Sequence, residues 1–475
     1  MTELKANQNE IVLPEIIQGG MGAAVSNWRL ARAVSLRGEL GVISGTAMDS
    51  IMLRRLQDGD LDGSVRRALA AFPDQSWIGP ILEKWYIPGG RAPEAPYKVK
   101  QMPTAELSLE AQSLVIIANF MEVYLAKEGH NGFVGINLLE KIQLVTLPSL
   151  FGAMLAGADA VLMGGGIPLA IPGVLDGLAR FEPVEMKLNL VESHTDQTHI
   201  LSFDPNDFSA CFDGPLKRPH FLAVISSDVL AKTLVRKASG KVDGFVVEHY
   251  SAGGHNAPPR RDGVYSERDV CNIEKLKAFE QPFWLAGSYA SPERFKEAKA
   301  AGARGIQVGT AFACADESGV TPEIKLELVQ RYLNDDLEVI TDFQASPTGY
   351  PFKRVDLKDS VPAEDCRVCD LGYLRHVFEK EDGTLDYRCP SGPLKPFLNK
   401  GGTEAESEGK RCLCNGLLGT IGMAQIRKGV TVEPLVTWGE DMSFLRRILG
   451  EGQYSYTAGQ LIDFLRSEVP EPVLA

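Results

Sequence analysis

The stretch Gly244-Phe245-Val246-Val247-Glu248, continued by His249-Tyr250-Ser251-Ala252-Gly253-Gly254-His255, decides the fold predicted for this chain of 475 residues. An apolar run without alternation is typical of a parallel strand that is buried on both faces. Two glycines follow, and they let the backbone approach a flat ligand closely. The closing histidine has an ordinary pKa that allows proton exchange near neutrality. The stretch therefore predicts a buried strand that opens into a binding site.

Seven other apolar runs share this pattern, and each is followed by turn residues and then by helical periodicity. They lie at 15–20, 40–45, 133–138, 160–163, 221–225, 282–286 and 305–308. Eight strands alternating with helices favour a (β/α)₈ barrel, a TIM barrel of the α/β class, over an open doubly wound sheet.

The helical periodicity and turn residues also place the parts around the strands. Helices are predicted at 49–70 and at about 107–128, with a loop at 73–104, and Ser26 is expected to cap the first helix. We expect the barrel to occupy residues 1–340 with a hairpin inserted near 185–215. Residues 341–475 differ in composition, with charged loops and clustered cysteines, and are expected to form a C-terminal extension.

Charge and hydropathy limit the partners of this protein. The chain has 62 acidic and 49 basic residues, a formal net charge of −13 and no dense run of Lys or Arg. We therefore expect neither nucleic acid nor a membrane as a partner. Residues 144–163 are apolar but contain proline and glycine, so we interpret them as buried core. Residues 1–10 lack an apolar signal core, which predicts a cytoplasmic protein.

The carboxyl ends of the eight strands carry glycines and polar side chains. In a barrel these ends meet at one rim, where active sites lie. The rim residues that we expect to contribute are Gln18, Gly19, Gly20, Met21, Asn137, Gly253, Gly254, His255, Gly287, Ser288, Gly309 and Thr310. Among them His255 is the candidate for proton transfer or charge stabilisation, with a structural histidine as the alternative. His249 is the weaker candidate, because it could lie within the strand and point into the packing.

Two rim turns, Gly287-Ser288 and Gly309-Thr310, follow the seventh and eighth strands, where barrels commonly bind phosphate. The alternative is a pair of ordinary turns with capping hydroxyls. The sequence has neither a Walker-type lysine loop nor a Gly-x-Gly-x-x-Gly helix start, which argues against a nucleoside triphosphate or a Rossmann-bound dinucleotide. A mononucleotide such as FMN fits the rim, since the glycine pairs at 19–20 and 253–254 would admit its ring. Three polar or flexible side chains would either contact that ring or only stabilise the local turns: Asn137, Gln18 and Met21.

Five of the eight cysteines fall in one segment, as Cys366-x₂-Cys369-x₁₉-Cys389-Pro390 and Cys412-x-Cys414. Four thiolates in one compact segment suit Zn²⁺ or an iron–sulfur cluster. The spacing matches no common zinc or ferredoxin motif, and reduced buried cysteines are the alternative. If four are ligands, we predict Cys369, Cys389, Cys412 and Cys414.

Four motifs together resemble the nitronate monooxygenase family, also called 2-nitropropane dioxygenase. They are Ile16-Ile17-Gln18-Gly19-Gly20-Met21-Gly22, Gly135-Ile136-Asn137-Leu138, Ala252-Gly253-Gly254-His255 and Gly305-Ile306-Gln307-Val308-Gly309-Thr310-Ala311-Phe312. The resemblance spans about residues 11–320. It departs from the family at Ala257, where a glycine is common, and in the hairpin and the cysteine-bearing extension.

The resemblance implies an FMN-dependent barrel that oxidises alkyl nitronates with molecular oxygen to carbonyl compounds and nitrite. It assigns His255 as the catalytic histidine and Gly287, Ser288, Gly309 and Thr310 as the FMN phosphate site. Gln18, Gly20, Met21 and Asn137 would lie beside the flavin. Flavin-dependent enoyl-[acyl-carrier-protein] reductases have a similar barrel and histidine loop, so an NAD(P)H-dependent enoyl reductase is the alternative function. The resemblance thus implies a small-molecule substrate or, for the alternative, an acyl thioester. A non-catalytic flavin- or metal-binding scaffold is a third hypothesis.

Overall fold

Eight parallel strands close into a barrel, as the apolar runs predict. The computed structural model describes residues 13–208, 212, 214–261, 263–358, 367–427 and 429–468. In sequence order, the barrel strands and the two strands of the inserted hairpin are β1 (Ile16–Gln18), β2 (Leu40–Ser44), β3 (Val134–Leu139), β4 (Ala160–Gly164), β5 (Val184–Lys187), β6 (Ile200–Phe203), β7 (His220–Ile225), β8 (Gly244–Glu248), β10 (Phe283–Ala286) and β11 (Gly305–Val308), with the short β9 (Gly254–His255) between β8 and β10. The barrel order is β1-β2-β3-β4-β7-β8-β10-β11, closed by pairing of β11 with β1.

The helices of the barrel cover its outer surface. They are α1 (Trp28–Ser35), α2 (Met48–Gln57), α3 (Ser64–Ala71), α4 (Ile78–Trp85), α5 (Leu109–Lys127), α6 (Thr146–Leu155), α7 (Ile171–Ala179), α8 (Asp228–Lys237), α9 (Ile273–Leu276), α10 (Pro292–Ala300), α11 (Thr310–Ala313) and α12 (Pro322–Leu333). Inside the barrel, Ile17, Val42, Leu222, Val246 and Trp284 form a separate apolar cluster. The strands therefore bury both faces, which explains their unbroken apolar sequence.

One predicted helix is wrong. The helix expected at 49–70 is two helices, α2 and α3, because Gly59, Asp60 and Gly63 adopt positive φ angles between them. The carboxylate of Asp60 then accepts hydrogen bonds from the backbone N–H groups of Val65 and Arg66, each at 2.9 Å, and so begins α3. The predicted loop at 73–104 also contains α4.

The first helix begins one residue later than predicted. Asn27, rather than Ser26, is its N-cap and accepts a hydrogen bond from Leu30 N at 3.0 Å. The Ser26 hydroxyl bonds instead within the turn after β1, where it donates to Gly19 O at 2.8 Å and accepts from Met21 N at 2.9 Å. Ser26 therefore shapes the barrel rim.

Among the described residues, α5 is the one helix long and apolar enough to cross a membrane by length and composition. It packs against α1, α2 and α6, and 72% of its apolar window is buried. The apolar segment at 144–163 is the buried helix α6 followed by β4, as predicted.

The chain beyond α12 consists of short elements that lie over the barrel rim. They are β12 (Ile340–Asp342), β13 (Phe352–Arg354), β14 (His376–Glu379), β15 (Leu385–Arg388), α13 (Leu394–Leu398), α14 (Glu404–Ser407), α15 (Leu413–Thr420), β16 (Ile426–Arg427), β17 (Val430–Thr431), α16 (Leu445–Ile448) and α17 (Ala458–Leu465). Strand β13 pairs antiparallel with β12 and with β9, which lies in the loop after barrel strand β8. Side chains of both parts share one apolar core, including Phe352, Val436 and Leu461.

We expect Gly305→Ala to lower the free energy of unfolding by about 1–3 kcal/mol, because overpacking in a closed core forces the backbone to shift. A Cβ at Gly305 would lie 1.7 Å from the carbonyl oxygen of Glu15 on the neighbouring barrel segment. Gly79→Ala is the matched control, since a Cβ in that part of α4 meets nothing within 4 Å. The control should be neutral or stabilising by up to about 1 kcal/mol. Urea unfolding measures both, and equal effects would contradict the packing argument.

Candidate active site

A cavity of about 250 Å³ opens at the carboxyl ends of the barrel strands. Its walls come from the rim turns and, on the other side, from C-terminal residues that include Tyr373, Leu413 and Thr437. Ten of the eleven predicted cofactor residues line it, together with His255: Gly19, Gly20, Met21, Asn137, Gly253, Gly254, Gly287, Ser288, Gly309 and Thr310. The strand ends therefore converge on one site.

Gln18 is the predicted rim residue that does not line the cavity. Its side chain is fully buried behind the wall. Its Nε2 donates to Ser26 Oγ at 2.9 Å and its Oε1 accepts from Val42 N at 3.0 Å. Gln18 thus ties β1 to β2 and supports the Gly19–Gly20 turn. Its side chain does not face the cavity in which a ligand would bind.

The glycine at position 20 makes room for Asn137. A Cβ at Gly20 would lie 2.3 Å from the Asn137 Cβ. The turn after β1 therefore presses directly against the end of β3, and the cavity has a wall of backbone there. This is the close backbone approach that a flat ring system needs.

The turns after β10 and β11 lie side by side, because those strands are paired. Gly287 has a φ of +88° and Ser288, a non-glycine residue, has a φ of +61°. Backbone in this region is strained outside glycine and is often found at binding sites. The Ser288 hydroxyl lies 2.8 Å from Ser251 Oγ, and Thr310 Oγ1 accepts from Gly439 N at 2.9 Å.

These turns offer hydroxyl and backbone N–H groups but no cation. The described lining contains neither lysine nor arginine. A phosphate there would be held by neutral donors, as backbone concavities hold anions elsewhere. The arrangement fits the predicted mononucleotide phosphate site.

One buried atom in the cavity wall also points to a bound group. Gln307 lines the cavity, and its side-chain oxygen is buried without a hydrogen-bond partner. A buried acceptor left unpaired costs about 1–3 kcal/mol. A ligand with an N–H group, such as a flavin ring, would satisfy it. The orphaned oxygen, the backbone wall and the hydroxyl-rich turns together fit FMN.

His255 lies on this rim in β9, opposite Phe352 of β13. Its Nε2 is 2.7 Å from Ser346 Oγ, and its ring meets the Phe352 ring edge-on at 4.9 Å. Burial lowers the pKa of His255 to about 4, because the charged imidazolium is poorly solvated there. The side chain is therefore neutral at physiological pH. Both partners come from the C-terminal chain, which local sequence patterns did not connect with the rim.

Glu248 is a cavity residue that the sequence analysis missed. It ends β8, and burial raises the pKa of its carboxyl group to about 7. The sequence feature that could have identified Glu248 is a charged residue at the end of an otherwise apolar strand. At neutral pH the group is close to half protonated, so it can exchange a proton with a ligand in the cavity.

His249, the weaker histidine candidate, follows β8. Its Nδ1 lies 2.9 Å from Ser251 Oγ, and Ser251 in turn contacts Ser288. Burial lowers its pKa as well. The residue thus supports the hydroxyl groups of the phosphate turn, and it is not among the cavity-lining residues.

The four predicted metal ligands, Cys369, Cys389, Cys412 and Cys414, line a second, smaller cavity behind the first. All four are free thiols. Among the residues that the structure describes, however, no three His, Cys, Asp or Glu side chains are grouped closely enough to hold a metal ion. The geometry therefore gives no support to the predicted zinc ion or iron–sulfur cluster. Cys366 lies outside the described residues.

We expect the contribution of Glu248 to stability to fall as pH rises from about 4.5 to about 7, its ordinary and its raised pKa, because the unfolded chain ionises this carboxyl group first. The lowered pKa of His255 acts in the opposite direction over a similar range, so the measurement is the difference between the pH profiles of wild type and Glu248→Gln. At about 1.4 kcal/mol per pKa unit, the loss amounts to about 3 kcal/mol. Glu248→Gln should remove this part of the pH dependence and raise the thermal midpoint at pH 8. Glu274→Gln, at an exposed position on α9, is the control. Parallel pH profiles of wild type and E248Q would contradict the assignment.

His255 should stay neutral at pH 6 and titrate near pH 4. The ¹H–¹³C resonances of the seven histidines, followed from pH 7 to pH 4, measure this, with His255→Asn assigning the signal. A midpoint near the ordinary value of 6.5 would show that the imidazole is solvated in the protein.

Solved structures of related shape include three proteins of low sequence identity. FabK from Thermotoga maritima is 17% identical, with 72% of this chain and 71% of that chain covered and a TM-score of 0.37. Nitroalkane oxidase from Streptomyces ansochromogenes is 16% identical, with 95% and 94% covered and a TM-score of 0.46. The enoyl reductase domain of MlnA from Bacillus amyloliquefaciens is 12% identical, with 72% and 63% covered and a TM-score of 0.36. At these values the likenesses carry no statement about substrate.

A family model provides the functional comparison. Searching the curated proteins gives no significant match. The model of the nitronate monooxygenase family matches residues 182–351, which include the Ala252–His255 loop and the motif at 305–312. The match thus contains His255 and both phosphate turns. It confirms the resemblance to the nitronate monooxygenase family over this part of the chain, which belongs to a (β/α)₈ barrel.

Proposed function

We propose that this protein is an FMN-dependent nitronate monooxygenase, which oxidises an alkyl nitronate with molecular oxygen to a carbonyl compound and nitrite. The observation that carries the proposal is the position of neutral His255 on the wall of the glycine-lined cavity. The family match over the same segment supports it. FMN, when bound, would supply the electron chemistry between the nitronate and oxygen.

The phosphate of FMN would lie at the Gly287-Ser288 and Gly309-Thr310 turns. The ring would lie along the wall formed by Gly19, Gly20 and Asn137, with Gln307 as an acceptor. These residues hold and orient the cofactor. None of them carries a charge. The carboxyl groups of Glu248 and Asp441 and the imidazole of His255 also line the cavity and set its electrostatic environment.

His255 would act as a neutral imidazole. In this state it can donate a hydrogen bond to a nitronate oxygen and so stabilise its negative charge. Ser346 is a positioning residue, because its hydroxyl group holds Nε2 and thereby orients the ring. Because Ser346 occupies Nε2, Nδ1 is the ring nitrogen that remains for a ligand.

Glu248 would favour an anionic substrate by remaining largely protonated below its raised pKa of about 7. A carboxylate in the same cavity as a nitronate would repel it in a medium of low dielectric constant. A protonated Glu248 is therefore compatible with an anionic nitronate in the same cavity.

The decisive experiment reduces FMN-loaded protein in an anaerobic stopped-flow instrument, with propyl-2-nitronate or NADPH as the reductant. We expect rapid flavin bleaching by the nitronate and, in air, formation of nitrite. Rapid bleaching by NADPH with none by the nitronate would contradict the proposal and favour the enoyl reductase.

We expect His255→Asn to lower the turnover of the nitronate by about 10²–10⁴-fold, because the positioned proton-transfer or hydrogen-bonding group is lost. FMN binding, measured by its visible spectrum, should persist. His220→Asn is the matched control, since His220 begins β7 at the opposite end of the barrel. Unchanged turnover in H255N would remove the catalytic assignment.

A further inference from the structure

We propose that Glu248 is a second catalytic residue of this protein, the base that removes the α-proton of a neutral nitroalkane and so generates the nitronate inside the cavity. The inference rests on the proposed function and extends its substrates to the neutral nitroalkanes, which are the conjugate acids of nitronates. It starts from the position of the Glu248 side chain, which lines both the cavity at the barrel rim (the rim cavity) and a smaller one beside it (the side cavity).

The side cavity has a volume of about 50 Å³ and lies against the loop after β8. It has room for more than one water molecule, since a single water needs about 10–15 Å³. Its wall includes the exposed residues Ala257, Pro258 and Arg260, so it reaches the protein surface there. Glu248 therefore faces the substrate space on one side and a path to solvent on the other.

A buried amide supports the interpretation of the side cavity as a space for water. Asn256 lines this cavity and is 3% exposed. Its Nδ2 donates to Ala252 O at 3.1 Å, whereas its Oδ1 is buried without a hydrogen-bond partner. An unpaired buried acceptor is costly, and a water molecule in the side cavity would satisfy it. The same water would carry a proton from Glu248 toward the surface.

The carboxyl group of Glu248 is available for proton transfer. Burial alone raises its pKa to about 7, and no charge or hydrogen bond from the described residues contributes to the shift. A base is most effective when its pKa lies near the working pH. At neutral pH about half of the Glu248 side chains are ionised and can accept a proton.

Two other titratable side chains of the rim cavity are less suited to this step. Burial lowers the pKa of His255 to about 4, so its neutral imidazole is a weak base. Asp441 Oδ1 accepts a hydrogen bond from Ser443 N at 2.9 Å and is thus engaged in its own turn. Glu248 is the stronger base of the three and has no such engagement.

The step is a proton transfer from carbon. The Glu248 carboxylate takes the α-proton, the electron pair of the C–H bond becomes the second bond between carbon and nitrogen, and the negative charge passes to the nitro oxygens. His255 donates a hydrogen bond to one of these oxygens and stabilises that charge. Glu248 is then neutral beside the nitronate, so the two groups do not repel each other. The proton leaves afterwards through the side cavity.

Hydrogen exchange at the α-carbon tests this step without any oxidation. FMN-loaded protein is reduced with dithionite under anaerobic conditions and mixed with 2-nitropropane deuterated at its α-carbon, and ¹H NMR follows the replacement of deuterium by solvent protons. We expect wild type to accelerate the exchange over buffer, and Glu248→Gln to lose this acceleration. No acceleration by wild type, or equal acceleration by both proteins, would overturn the proposal.

Turnover gives a second readout. In E248Q the ratio of 2-nitropropane oxidation to propyl-2-nitronate oxidation, each measured as kcat/KM, should fall by about 10²–10⁴-fold, because a positioned proton-transfer group is lost. Glu248→Asp keeps a carboxylate and should retain part of the ratio. Glu274→Gln, at an exposed position on α9, is the control and should match wild type. A fall in Asp441→Asn but not in E248Q would assign the base to Asp441 and overturn the proposal.

This proposal and the proposed function fail in different ways. Oxidation of the nitronate with an unchanged ratio in E248Q contradicts only the role of Glu248. Accelerated exchange in wild type, lost in E248Q, without oxidation of the nitronate contradicts only the proposed function. A protein that neither exchanges the α-proton nor oxidises the nitronate contradicts both.

Discussion

The antiparallel pairing of β9 with β13 is the interaction on which the site depends. It sets His255 opposite Phe352 and Gly254 opposite Lys353, and so attaches the histidine loop of the barrel to the C-terminal chain. Thr437 Oγ1 accepts from Gly254 N at 2.8 Å, and Glu440 N donates to Ser251 O at 3.0 Å. The loop after β8 is therefore held on both sides. A loop tethered by backbone hydrogen bonds can present a histidine in one orientation, as catalysis requires.

A buried lysine reinforces this junction. Lys353 is fully buried, and its ammonium group contacts Glu440 Oε1 at 2.5 Å and Thr341 Oγ1 at 2.7 Å. Removing one partner of such a pair leaves an uncompensated charge, which is strongly destabilising. The pair thus links β12, β13 and the segment at 437–441 in one arrangement. Burial at the junction also explains the shifted pKa values of two rim residues. It lowers the pKa of His255 and raises that of Glu248, and so favours the neutral form of each.

The barrel could be predicted from the sequence because parallel strands buried on both faces leave an unbroken apolar signature. The glycine and hydroxyl residues at the strand ends were predictable for the same reason, since topology alone brings them together. Gln18 shows the limit of that argument: a polar residue at a strand end can point behind the wall, and here it bonds Ser26 and Val42. The helix expected at 49–70 failed because local positive φ angles interrupt an otherwise helical pattern.

The partners of the site residues could not be predicted, because they are distant in sequence. Ser346 lies 91 residues from His255, and no periodic pattern relates the two. The cysteines are a contrasting case: their types suggested a shared site, but only the fold shows that three segments meet at one cavity. Both cases concern the chain beyond residue 340, which the sequence analysis treated as an extension.

That chain is part of the active site, and this changes how the barrel should be understood. A (β/α)₈ barrel usually builds its site from its own βα loops. Here the far wall of the cavity comes from Tyr373, Leu413 and Thr437, and the histidine is oriented by Ser346. The shape of the cavity therefore depends on the C-terminal chain as well as on the barrel.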